Sequence, residues 1–175
     1  MQRIIITGAP CTGKTTILQT LAKMGFSTFD EVARVVIKQE LQNGSDVLPW
    51  LNLDAFSRAV LPFQIKNHEK AVEGLNFYDR GIPDIAAYQQ KSNQGVFEEL
   101  QKAINEYRYH DKVFITPPWK EIYENDNERK ESFEEAMMIH DFLVKVYTDN
   151  SYELIEIPKV NLEERLKFVL STALT

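Results

Sequence analysis

The sequence predicts an α/β fold, with a parallel β-sheet covered by helices on both faces. Three observations lead there. Short β-branched or aromatic runs alternate with amphipathic segments from one end of the chain to the other. The strand-like runs are apolar throughout instead of alternating, the pattern of strands buried on both sides. No Pro-, Gly- or Ser-rich linker divides the 175 residues, so residues 1–175 are expected to form one domain. In sheets of this kind ligands bind beyond the C-terminal strand ends, at a switch in strand order. The chemistry is therefore sought at those ends.

Residues 3–7, centred on Ile4, Ile5 and Ile6, read as the first strand. A helix over 14–24 places Ile17, Leu18, Leu21 and Met24 on one face and stops at Gly25. A second strand over 27–30 leads into a helix over 31–41 with Ala33, Val36, Ile37 and Leu41 on one stripe, closed by an Asn43-Gly44-Ser45-Asp46 loop. The next helix runs from 54 towards 72 and is expected to break or kink at Pro62. After a third strand at 76–78, Gly81-Ile82-Pro83 opens another helix, with proline in the first turn where it is tolerated. Residues 96–107 are helical, and 112–116 form a fourth strand ended by Pro117-Pro118. Ser132 and Glu135 have the spacing of a capping box. They open a helix to about residue 148, with Phe133, Met137, His140, Leu143, Val144 and Tyr147 on its apolar face. A fifth strand at 152–157 precedes a helix capped by Asn161, with Leu162, Leu166, Val169, Leu170 and Ala173 inward.

Composition narrows the function classes. With 43% hydrophobic and 26% charged residues, the chain can build a core, which excludes disorder. A net charge of −6 gives no basic footprint for nucleic acid. The single cysteine, Cys11, excludes an internal disulfide and a multi-Cys zinc site, and His68 and His110 lack partners at metal-ligand spacing. No apolar run is long enough for a membrane span, and no signal peptide precedes the first strand, so a cytoplasmic location is expected.

Gly8-Ala9-Pro10-Cys11-Thr12-Gly13-Lys14-Thr15 fits G-x-x-x-x-G-K-[ST] and lies between an apolar strand and an amphipathic helix, the context that gives the motif meaning. The glycines let backbone N–H groups curl around an anion, and the helix N-terminus adds positive potential. Lys14 is placed to reach β- and γ-phosphates, and the Thr15 hydroxyl can ligate Mg²⁺. An Asn-Lys-x-Asp segment, expected of a switch GTPase, does not occur. Nor does the fourth strand, Val113-Phe114-Ile115, end in the Asp-Glu of a ring-forming ATPase.

Acids stand at two other strand ends. In Phe77-Tyr78-Asp79-Arg80-Gly81 the carboxylate can ligate Mg²⁺ through water or accept a proton, and Arg80 can hold a phosphate or substrate group with its planar fork. Phe29-Asp30-Glu31-Val32-Ala33-Arg34 repeats the arrangement; Asp30 is read as a helix N-terminal acid and Glu31 as a site residue. The polar stretch 120–131, with Arg129 and Lys130 among many acids, is where a closing lid with a cation would lie. His140 is read as a core-edge residue.

Together these residues resemble the P-loop family that includes the kinase domain of NadR-type nicotinamide riboside kinases and related AAA-domain ATPases, with deoxynucleoside and thymidylate kinases as wider relatives. The resemblance is carried by residues 8–16, ending in Thr15-Thr16, by Glu31-Val32-Ala33-Arg34, by Tyr78-Asp79-Arg80-Gly81-Ile82-Pro83-Asp84, by Val113-Phe114-Ile115 with Pro117-Pro118-Trp119, and by Asp126 with Arg129. It implies a three-layer P-loop NTPase fold with strand order 2-3-1-4-5, a lid after the fourth strand, and a nucleotide base near Pro158-Lys159-Val160. It also implies that Gly8, Ala9, Pro10, Cys11, Thr12, Gly13, Lys14, Thr15 and Thr16 bind the nucleotide and that Thr15 and Asp79 serve Mg²⁺. Lys14, Glu31, Asp79, Arg80 and Arg129 would be the catalytic set, with Glu31 or Asp79 as base. The expected activity is transfer of the γ-phosphoryl group of Mg²⁺-ATP to a small, nucleoside-like hydroxyl acceptor. The alternative is a nucleotide switch acting through a partner protein.

Overall fold

A computed structural model of the chain describes residues 1–123 and 132–174. Five strands, β1 (Gln2–Gly8), β2 (Ser27–Phe29), β3 (Leu75–Asp79), β4 (Lys112–Thr116) and β5 (Glu153–Glu156), form one sheet in the order β2-β3-β1-β4-β5. All four neighbour pairs are parallel, so every connection crosses over through helix. The helices are α1 (Lys14–Lys23), α2 (Val32–Gln42), α3 (Leu53–Glu69), α4 (Ile82–Lys91), α5 (Glu98–Glu106), α6 (Phe133–Asp149) and α7 (Leu162–Ala173), with a 3₁₀ turn at Lys120–Ile122.

The two faces of the sheet carry separate cores. Alternation along β1 sends Ile4 and Ile6 to one side, where they meet Ile17 and Leu21 of α1, Phe77, Phe114, and Leu166 and Val169 of α7. Ile5 points to the other, larger core, with Tyr78, Val36, Val60, Ile82, Leu100, Ile139 and Leu143 from α2 to α6. This is the three-layer arrangement of a P-loop NTPase fold, with β1 and its following loop at the centre.

Several sequence expectations need correcting. The strands are not all apolar and doubly covered: β2 and β5 are the sheet edges and are only half-buried. Helix α3 runs through Pro62 without interruption. Pro62 is solvent-exposed, so the carbonyl that loses its helical partner can turn to water. Met24 and Leu41, assigned to inward stripes, are more than half exposed because each lies in the last turn of its helix or just beyond. On α6 the buried stripe is Ala136, Ile139, Leu143, Val146 and Tyr147, which turns Met137 and Val144 to solvent and leaves His140 half-buried at the margin. The capping predictions hold: Ser132 Oγ accepts from Glu135 N at 3.1 Å, Glu135 accepts from Ser132 N at 2.8 Å, and Asn161 accepts from Glu164 N at 3.0 Å.

Candidate functional site

The loop after β1 is built by backbone conformations that side chains rarely allow. Gly8 and Gly13 have φ of 140° and 84°, and Cys11 also lies in the left-handed region at 58°. A Cβ on Gly8 would stand 2.1 Å from Thr116 Oγ1 and 2.5 Å from the Thr116 carbonyl oxygen, because register pairs Gly8 with Thr116 across β1 and β4. Thr116 is therefore the floor of the loop. Its hydroxyl donates to the Thr7 carbonyl at 3.1 Å and lies 2.6 Å from Thr12 Oγ1, which donates to the Ala9 carbonyl at 2.9 Å. Ala9, Pro10 and Thr12 are buried, and Cys11 is half-exposed at the turn.

Gly13 is the N-cap of α1, and Lys14 is that helix's first residue. The Lys14 ammonium is buried and donates to the carbonyls of Gly8 at 2.9 Å and Ala9 at 2.7 Å, across the mouth of the loop. Burial, helped by Arg80, lowers its pKa to about 8, against the pull of Asp79, Glu31 and Asp84. Thr15 and Thr16 are exposed in the first turn of α1, so their hydroxyls face solvent at the positive end of the helix.

Asp79 closes β3 and is buried, with Oδ1 lacking a hydrogen-bond partner among the described residues. Burial and the neighbouring Glu31 raise its pKa to about 6, despite Lys14 and Arg80. Arg80, at φ 71°, turns its side chain back under the loop, where it is buried. Its Nε donates to Glu31 Oε1 at 2.9 Å, and its Nη1 donates to the Gly8 carbonyl at 3.1 Å and to Asp84 Oδ1 at 3.3 Å. Glu31, just before α2, also accepts from Arg34 Nε at 3.1 Å. Its burial opposes ionisation, but Arg80, Lys14 and Arg34 outweigh that and hold the carboxyl near 2. Asp30 is exposed beside it, one residue before the N-cap of α2 and outside that helix's first turn.

The structure thus brings Gly8, Lys14, Glu31, Asp79 and Arg80 together. Arg129, and with it Asp126 and Lys130, lies outside the described residues. Two surface concavities, a cleft of about 290 Å³ lined by Phe29, Asp30, Val32, Val35 and Phe63 and another of about 410 Å³ between α3 and α5, lie apart from Glu31, Arg34, Asp79 and Arg80. Among those four residues Glu31 pairs with both Arg34, at 3.1 Å, and Arg80, at 2.9 Å.

Sequence reasoning gave no role to four residues that hold the site in shape. Asp84 is a buried hub: it accepts from Thr7 Oγ1 at 2.6 Å, from Gly81 N at 2.9 Å, from Arg80 and from Tyr147. Its signal was an acid three residues after Gly81 and four after Arg80. Thr116 was legible only once strand order placed it opposite Gly8. Arg165, whose Nη2 donates to the Thr12 carbonyl at 3.0 Å, sits three residues after Leu162 and four before Val169, on the inward stripe of α7. Tyr147 carried no signal beyond its place on α6.

Among the described residues no helix is long and apolar enough to cross a membrane. No three His, Cys, Asp or Glu residues group as metal ligands among them. What the arrangement offers instead is an anion loop, one buried ammonium, two exposed threonines and a carboxylate whose Oδ1 has no hydrogen-bond partner among the described residues. That is a donor set for a polyphosphate chain carrying a divalent cation.

Comparison with known proteins bears on the family and the fold. A family model described as an AAA domain matches residues 3–165. No curated protein is similar enough in sequence to match. Among solved structures, deoxyadenosine kinase from M. mycoides with bound dATP is similar at 13% identity and a TM-score of 0.65, over 100% of both chains. Thymidylate kinase from Ehrlichia chaffeensis is similar at 14% identity and a TM-score of 0.66, over 99% of this chain and 98% of that one. A NadR protein in complex with NR is similar at 18% identity and a TM-score of 0.68, over 98% of this chain and 49% of that one.

Proposed function

The chain belongs to the AAA-domain family and has the fold of P-loop kinases, and from that premise we propose that it is a Mg²⁺-dependent phosphotransferase. It would act as one nucleotide-binding domain over residues 1–175, transferring the γ-phosphoryl group of ATP to a small, nucleoside-like hydroxyl acceptor. The observation that carries the reading is the division of labour between two carboxylates. Asp79 is buried with an unpartnered oxygen beside Lys14, whereas Glu31 is held ionised between two arginines.

Those surroundings suit different tasks. The unpartnered Asp79 oxygen and the exposed Thr15 hydroxyl fit a hydrated Mg²⁺, which keeps several waters and needs only one or two protein ligands besides phosphate. Mg²⁺ held there would supply positive charge to offset the negative charge that develops on the transferring phosphoryl group. The backbone of residues 8–13 cradles the phosphates, and Lys14 exchanges its bonds to the Gly8 and Ala9 carbonyls for phosphate oxygens. Glu31, oriented by Arg80, accepts a hydrogen bond from the acceptor hydroxyl and aims its oxygen at the transferring group. In a loose transition state the proton leaves late, so a weakly basic carboxylate suffices for this role. Arg80 ties the two halves together by bonding both Glu31 and the Gly8 carbonyl.

A second reading rests on the two ion pairs that already engage Glu31: a nucleotide switch that turns over slowly and signals to a protein partner. One assay separates the two. ADP release from Mg²⁺-ATP is measured with and without pooled nucleosides and other hydroxyl-bearing metabolites. A pool that raises the rate by orders of magnitude supports the kinase, and splitting the pool names the acceptor. A slow rate that no pool changes refutes the kinase and favours the switch.

A further inference from the structure

Arg165 is a buried cation in search of an anion. Its residue is 5% exposed, and its Nε has no hydrogen-bond partner among the described residues. Burial lowers its pKa, and no carboxylate among the described residues offsets the effect. A buried guanidinium is ordinarily paired, since removing its charge from water is costly. By contrast Arg80, the other buried arginine of the site, has both Glu31 and Asp84.

The side chain is aimed at the tip of the loop. Nη2 donates to the Thr12 carbonyl at 3.0 Å, and Nη1 lies 2.7 Å from where a Cβ on Gly13 would stand. Trp119 flanks the guanidinium, its ring centroid 5.8 Å from Cζ, and Ile122 Cδ1 borders the same space at Gly13. The Thr12–Gly13 peptide is trans, so its carbonyl and its N–H point in opposite directions. A donor that fixes the Thr12 carbonyl towards α7 therefore fixes the Gly13 N–H towards the opposite side of the loop. At Gly13 (φ 84°) that orientation is not fixed by a side chain's own preferences, because glycine has none.

We propose that Arg165 is a positioning residue of the anion loop: it locks the Thr12–Gly13 peptide with its N–H turned inward, and a bound polyphosphate supplies the countercharge that none of the described residues provides. The proposal rests on the nucleotide-binding reading above. It gives α7 a task in ligand binding that its place behind the sheet would not suggest.

The test compares wild type, Arg165→Met and Arg165→Lys by calorimetric titration with Mg²⁺-ATP and Mg²⁺-GTP, together with nucleotide-free melting curves. The methionine variant should bind the preferred nucleotide at least about tenfold more weakly while its nucleotide-free Tm equals or exceeds that of wild type. The lysine variant, which keeps a charge and a donor, should recover part of the loss. Unchanged affinity in a folded methionine variant would overturn the proposal. So would a lowered nucleotide-free Tm with equal affinity loss in both variants, or loss of cooperative unfolding in both, since each marks a structural arginine. Wild type binding neither nucleotide would instead bring down the phosphotransferase reading, a failure visible before any variant is compared.

Discussion

Replacing Gly8 by alanine tests whether the anion loop is wedged against the end of β4. Two costs add. At φ 140° an L-residue sits in a region essentially reserved for glycine, worth about 1–3 kcal/mol. The new methyl would also lie 2.1 Å from Thr116 Oγ1 and 2.5 Å from its carbonyl oxygen, an overpacking of about 1–3 kcal/mol. The expected loss is about 2–6 kcal/mol, which for a chain of this size lowers Tm by about 4–24 °C. Denaturant melts of Gly8→Ala, Thr116→Ala and the double variant read it out. Thr116→Ala alone removes the bonds to Thr7 and Thr12 and should cost about 1 kcal/mol. The double variant should recover only part of the Gly8→Ala loss, because the backbone oxygen at 2.5 Å and the positive φ remain. A Gly8→Ala protein within about 1 kcal/mol of wild type would refute the reasoning, and full rescue by Thr116→Ala would show that backbone conformation plays no part.

The other predictions concern the charged groups. Lys14→Ala should cut acceptor-dependent ADP release by about 100-fold or more while the protein still folds; unchanged turnover in a folded variant removes Lys14 from the chemistry. Asp79→Asn should lower turnover more than nucleotide affinity. It should also stabilise the nucleotide-free protein by about 1–3 kcal/mol at pH 7.5, because a carboxyl raised from 3.8 to about 6 favours folding at low pH and loses that contribution as pH rises through 6. The gain should vanish near pH 4, which paired melts at the two pH values check. Glu31→Gln should destabilise by about 2–3 kcal/mol at neutral pH, since Arg80 loses a charged partner in a nearly buried site. The linkage runs the other way there: the Glu31 contribution is present above 4.5 and fades as pH falls through about 2, so the wild-type advantage should shrink in acid.

What could be read from the residues alone was whatever depends on local pattern. The Gly8 to Thr15 motif, the caps at Ser132 and Asn161, and the alternation of elements were all legible, because each is decided within a few residues. The doubled acid-arginine pattern at Glu31 and Asp79 was legible as a site, but not the contrast between the two acids. That contrast comes from Arg80 turning back at positive φ to bond Glu31, with Asp79 Oδ1 left without a partner among the described residues, a through-space result of β3 lying beside β1. Thr116, Tyr147 and Arg165 were silent for the same reason: their partners come from other elements, and nothing in their own neighbourhood marks them. The misplaced apolar positions, Met24, Leu41, Met137 and Val144, show how far helical periodicity can drift at helix ends and across a long helix. There a few tens of degrees of rotation move a residue from core to solvent.

The position of β1 has a kinetic consequence. It is the central strand, pairing with β3 on one side and β4 on the other, so that Ile6 must meet both Asp79 and Phe114. Neither partner is a sequence neighbour, and no hairpin can form first and hold β1 in place. Until distant parts of the chain arrive, the Ile4-Ile5-Ile6 run has both strand edges open, and the face that carries Ile5 waits for α2 to α6. Such a topology folds slowly for its size and is exposed to intermolecular pairing while it waits. The anion loop inherits that delay, since its floor, Thr116, belongs to the later of the two flanking strands. During refolding, recovery of nucleotide binding should therefore trail recovery of helix, and the lag between the two signals measures how long the central strand stays unflanked.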